Sequence, residues 1–240
     1  MKAVRLSFLG MAEAMRRDMM LFAACLAPIL AGVFFRFAVP FAEAVLTKYY
    51  HMPAVISPFY RLIDICFVML SPTMFCFVSA MVALEEADEK TAAYLFITPL
   101  GKSGYLAARL GVPAIIAFWT TVILFPVFRI TAFSPTAVLL FTALGTLQGM
   151  IVALSVLAFS ANRLEGMAVA KLSSLALSGA VVPFFVDDHR QYLLLFLPSF
   201  WMGKATGENA LLYLLPAFVL SAIWIVLLLK RYLAAGPFRQ

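Results

Sequence analysis

Long stretches without a charged residue constrain this chain more than any other feature. Ile130 to Ala161 is uncharged throughout, and Met19 to Phe35, Ile65 to Leu84, Leu110 to Phe128 and Asn209 to Leu229 repeat the pattern. A helix crosses the ~30 Å hydrocarbon core of a bilayer in about 20 apolar residues. In lipid each backbone N–H and C=O must find an internal partner, which a helix provides. Composition agrees: 64% of the 240 residues are hydrophobic and 12% charged, where a soluble domain carries roughly 25% charged residues. Soluble-globule, disordered, collagen and coiled-coil readings are excluded. The expected fold is all-α integral membrane, a single domain over residues 1–240.

Six transmembrane helices are expected, at about 19–39, 62–84, 107–128, 135–161, 167–186 and 209–230. Ser134-Pro135 supplies a start for the fourth, with proline in the first turn. The fifth reaches full length when Lys171 snorkels to the near interface. Gln191 to Gly203 is too short to cross and contains Leu197-Pro198-Ser199, which predicts a short re-entrant or interfacial segment before the last span. Residues 1–18 read as an N-terminal amphipathic surface helix, with Val4, Phe8, Met11 and Met15 near one face. They do not read as a secretory signal, because a full-length span follows instead of a short apolar core with a cleavage site.

Basic residues are retained on the cytoplasmic side, and with six spans they divide unevenly. Lys2, Arg5, Arg16, Arg17, Lys90, Lys102, Arg109, Arg163, Lys171, Lys230, Arg231 and Arg239 fall on one side; Arg36, Lys48, Arg61, Arg129, Arg190 and Lys204 fall on the other. Both termini are therefore expected in the cytoplasm, and the net charge of +6 reflects this asymmetry. It calls for lipid as a neighbour and for no nucleic acid.

Cys25, Cys66 and Cys76 all lie in apolar runs and read as packing residues. His51 and His189 fall in loops and share no helix with a carboxylate at metal-ligand spacing, so neither a metal site nor a metalloprotease is expected. Gly145, Gly149, Ser155, Ser174, Ser178 and Gly179 are small residues suited to helix contacts. Arg36, Arg61, Asp64 and Arg129 lie at the outer ends of spans, with Arg61 and Asp64 spaced to pair on one face. Asp64 is too short to snorkel far and is a candidate contact for a cationic substrate. Pro198, Phe200 and Trp201 are candidates for an outer gate or for an aromatic interface anchor.

The loop after the second span carries the most information. Glu85, Glu86, Asp88 and Glu89 sit within five positions, followed by Thr91, Tyr94, Leu95, Thr98 and Pro99. Acidic residues favour a helix start, and Pro99 stops the short amphipathic helix that follows. An acidic pair at the end of the second span, then a threonine, a short apolar helix, a Thr-Pro turn and Arg109 entering the third span resemble the permeases of type-2 ATP-binding-cassette exporters. Arg17-Asp18, Ala27-Pro28-Ile29-Leu30 and Phe34-Phe35-Arg36-Phe37 with Pro40 resemble the drug-export, fluoroquinolone-export-like branch. Lys90 stands where that pattern has glycine.

The resemblance implies a permease that moves a hydrophobic or amphipathic substrate, drugs included, out of the cytoplasm by alternating access. Its implied partners are a separate ATPase subunit and a second permease chain, identical or different, in a prokaryotic cytoplasmic membrane. Glu85, Glu86, Asp88, Glu89, Thr91, Tyr94, Leu95, Thr98 and Pro99 are then the ATPase-coupling loop. ATP and Mg are expected in the partner, since Gly101-Lys102-Ser103 lacks the rest of a phosphate-binding loop. No catalytic residue and no cofactor are expected in this chain. An ion-coupled secondary transporter is the alternative, although it would usually show ionisable groups or a repeat at mid-membrane.

Overall fold

The computed structural model describes residues 2–89, 91, 94, 101–186, 188–207 and 210–235. All regular structure among them is helical. α1 spans Lys2–Arg17 and ends at Asp18, whose carboxylate accepts from the N–H groups of Met20 and Leu21 at 2.9 and 3.2 Å. That cap starts α2, Met19–Tyr50. α3 is Tyr60–Asp88, α4 is Gly101–Phe128 and α5 is Pro135–Phe159, capped by Ser134 as its sequence predicts. α6 is Arg163–Ser174 and continues as a 3₁₀ stretch, Leu175–Ala180, and the short α7, Val182–Phe185. α8 is Pro198–Gly207 and α9 is Leu214–Ala235.

Five helices among the described residues are long and apolar enough to cross a membrane: Met19–Tyr50, Ser57–Asp88, Gly101–Phe128, Pro135–Phe159 and Leu211–Ala234. The expected fifth span, 167–186, is not one helix. It breaks at Leu175 into the 3₁₀ stretch, and its two ends lie at opposite ends of the bundle. Arg163 meets Asp18 and Glu85, at the start of α2 and the end of α3, while Phe185 stacks on Phe59, just before α3, at 4.9 Å between ring centroids. The expected first span is also longer than predicted. It runs on to Tyr50 because a widened turn, Phe34–Ala38, precedes Pro40 and relieves the clash proline makes with the carbonyl four residues back.

α3 and α5 form the centre, each with 72% of its most apolar 18-residue stretch buried, against 11% for α2. Two glycines explain their approach. A Cβ on Gly145 would overlap the Val68 carbonyl, and one on Gly149 would sit 3.0 Å from the Pro72 backbone. Pro72 has no N–H to offer the Val68 carbonyl, and α5 presents no side chain where that carbonyl faces it. One apolar cluster lies at the end of the bundle where α1, the end of α3 and the end of α9 meet, hereafter the basal end; Met11, Leu84, Tyr105 and Tyr232 belong to it, with Phe8 and Met15 packed against them. A second, with Phe67, Phe125, Phe141 and Met202, fills the distal half.

Candidate functional site: a buried ion pair at the basal end

The acidic residues at the end of α3 divide into two groups. Glu86 turns inward, while Asp88, Glu89, Thr91 and Tyr94 are exposed, Tyr94 by 69%. Thr91 donates its hydroxyl to the Glu86 carbonyl at 3.1 Å, which fastens the start of the exposed segment to the helix. Leu95, Thr98 and Pro99 lie outside the described residues.

Glu86 receives Arg109 from α4. Nε donates to Oε2 at 2.8 Å and Nη2 to Oε1, the two-pronged geometry that a planar guanidinium forms with a carboxylate. Tyr105, one helical turn before Arg109, adds its hydroxyl to Oε2 at 3.1 Å. The third arm of Arg109, Nη1, reaches the Ser7 carbonyl of α1 at 3.0 Å. Arg109 is 3% exposed, so these donors are satisfied within the protein, as burial of a charge requires.

The local backbone prepares this arrangement. Pro113 has no N–H to give the Arg109 carbonyl, and the turn Ala107–Gly111 is widened. That carbonyl accepts the hydroxyl of Ser79 from α3. Arg109 therefore holds α3 twice, through Glu86 and Ser79, and α1 once. Beside it Arg163 spans Asp18 at 2.5 Å and Glu85 at 3.2 Å, joining α6 to the start of α2 and the end of α3. The hydrogen bond from Arg163 holds the Asp18 carboxyl below the ordinary carboxylate range.

The distal candidates occupy different surroundings. Asp64 is 2% exposed and does not pair with Arg61. It accepts from the N–H groups of Ile130 and Thr131, both at 2.8 Å, and from the Thr131 hydroxyl at 2.5 Å, anchoring the turn after α4. Arg61 donates instead to the Thr206 carbonyl at 3.5 Å. Pro198 and Phe200 are buried in α8, and Trp201 stacks on Tyr213 at 6.1 Å. Next to them Lys204, 5% exposed, donates to the Tyr192 hydroxyl at 2.6 Å and lies 4.4 and 5.2 Å from the Tyr192 and Tyr213 ring centroids.

Sequence reasoning placed Glu86 in the loop and Arg109 in the pattern but did not pair them, and it missed Ser79, Arg163 and Lys204 as contacts. The signal for the pair was present: two opposite charges on consecutive spans near one interface call for each other. For Lys204 the signal was an ammonium flanked by Trp201-Met202-Gly203 and Ala205.

No curated protein and no solved structure matches the chain. Residues 11–229, which hold Asp18, Glu85, Glu86, Arg109 and Arg163 and the whole distal cluster, match the family described as fluoroquinolones export permease protein Rv2686c-like, and the chain belongs to that family.

Proposed function

We propose that the chain is the transmembrane permease subunit of an ATP-binding-cassette exporter that moves amphipathic, drug-like molecules out of the cytoplasm. The basal end faces the cytoplasm, an orientation the distribution of basic residues supports, and α1 lies along that surface with its Phe8, Met11 and Met15 face turned into the bundle. The six crossings are α2, α3, α4, α5, the broken segment α6–α7 and α9; α8, ten residues or about 15 Å long, enters from the distal side without crossing.

The single observation carrying this reading is the position of the Glu86–Arg109 pair. It lies directly behind an exposed acidic segment and ties α1, α3 and α4 into one body. An ATPase subunit docked on Asp88, Glu89, Thr91 and Tyr94, with Leu95, Thr98 and Pro99 completing the coupling loop, would move these helices together as nucleotide binds and is hydrolysed. A second permease chain completes the route, and the partner carries ATP and Mg. In this reading Asp64 fastens a loop, and Phe200 and Trp201 belong to the outer gate.

Purification from native membranes in mild detergent tests the proposal. An ATPase should accompany the wild-type chain and be lost when Asp88 and Glu89 are changed to lysine. A chain isolated without a nucleotide-binding partner under crosslinking would overturn it. The break at Leu175 favours a second reading, ion-coupled transport, since discontinuous helices build such sites. Transport that survives ATP depletion but collapses with the proton gradient would establish that reading instead.

A further inference from the structure

The broken segment has two unlike faces. Inward, Gly179 and Ala180 are buried, Ser199 of α8 donates its hydroxyl to the Ala176 carbonyl at 2.5 Å, and Gly203 leaves room for the Ala180 backbone. Outward, Lys171, Ser174 and Ser178 are exposed in one line at spacings of three and four, flanked by Leu172 and Leu175. The two hydroxyls donate to the carbonyls of Lys171 and Leu175. An ammonium is costly in hydrocarbon, so Lys171 either reaches the near interface or meets a polar group along this face.

A groove of about 250 Å³ opens beside the same stripe. Met20, Met74, Met167, Phe77 and Thr73 line it, with Lys171 as the charged residue of the lining. The Thr73 hydroxyl is already committed to the Met69 carbonyl at 2.6 Å, so it presents its methyl-bearing side. Three thioethers and a phenyl ring make a wall that adapts to flat apolar ligands. Met20 stands in the first turn of α2 and Thr73 midway along α3, which sets the groove in the basal half of the membrane. Drug-sized sites enclose roughly 300–1,000 Å³; this groove is one wall of such a site, open on the bare side of α6.

We infer that the groove is a loading site and that Lys171 holds the carboxylate of a flat aromatic substrate. The inference rests on the exporter reading above and deepens it. A neutral or cationic ligand sealed in the groove would strip water from the ammonium without replacing it, whereas a carboxylate supplies a charge-assisted hydrogen bond in a low-dielectric wall. The rings of such a ligand would lie against Phe77 and the methionines.

Inverted membrane vesicles from cells making the full complex provide the test, with ATP-dependent accumulation of norfloxacin compared with that of its decarboxylated analogue. Lys171→Met is expected to raise KM about tenfold for norfloxacin and to leave KM for the analogue unchanged, with Lys171→Arg restoring most of the loss. Filling the groove by Phe77→Trp is expected to impair both substrates. An unchanged norfloxacin KM in Lys171→Met vesicles that still transport would overturn the site while leaving the exporter reading intact. Equal losses for both compounds would assign Lys171 to packing or to a lipid phosphate. Wild-type vesicles that hydrolyse ATP but accumulate neither compound would overturn the loading site, whereas a purified complex without an ATPase would remove the exporter reading itself.

Discussion

Among the described residues each end of the bundle buries one basic side chain, in different surroundings. Basal Arg109 meets a carboxylate in a two-pronged fit and donates to a backbone carbonyl on a third helix. Distal Lys204 donates to the Tyr192 phenol and lies over the rings of Tyr192 and Tyr213. A guanidinium fork fixes angle as well as distance, whereas an ammonium over π faces is attracted with little directional demand. The Arg109 fork therefore fixes the basal helices in angle as well as distance, while the ring contacts of Lys204 constrain direction less.

The largest test of this contrast is Arg109→Met, which leaves Glu86 desolvated beside Tyr105. The expected loss is about 3–5 kcal/mol of stability, read by denaturant unfolding in detergent; a loss below about 1 kcal/mol would erase the distinction between the ends. Lys204→Met should lower stability by at least about 2 kcal/mol, the share of its hydrogen bond to Tyr192 and its ring contacts. A value matching that of Arg109 would remove the contrast from the distal side. Ser79→Ala removes the donor to the Arg109 carbonyl and should cost about 1 kcal/mol, sharpening how much of the joint resides in the backbone contact.

The smallest effect is expected at Arg163, which is 29% exposed. Arg163→Ala should lower stability by less than about 1 kcal/mol, and high salt should mask it. Its pH dependence has a definite sign. Asp18 has a lowered folded-state pKa, so its contribution is present above the unfolded carboxylate value near 3.9 and fades as pH falls through the lower folded value. An Asp18→Asn variant should therefore lose part of the acid-side decline in thermal stability that the wild type shows.

The long helices were legible because burial in lipid writes itself into composition, and the start of α5 was legible because Ser134-Pro135 carries both a cap and a first-turn proline. The break at Leu175 was not. Leu175-Ala176-Leu177-Ser178-Gly179-Ala180 has the apolar content of an ordinary span, and what pairs with the opened backbone is Ser199, 23 residues away, which local periodicity does not report. Glu86 and Arg109 are also 23 positions apart; each charge was visible, and the fold supplied the pairing. Asp64 illustrates the reverse. Helical spacing offered Arg61 as its partner, but three donors from the turn at Ile130 and Thr131 satisfied it instead.

The contact at Arg163 has a mechanical consequence. One guanidinium faces two carboxylates carried by different helices, through separate nitrogens and at unequal distances. If α6 shifts toward α3, Glu85 gains what Asp18 loses; if it shifts back, the exchange reverses. Displacement then proceeds by handing a proton donor from one acceptor to the other, with no stage at which the positive charge stands alone. Such a joint slides rather than snaps, and three helix ends travel on it as a linkage with a single shared pin.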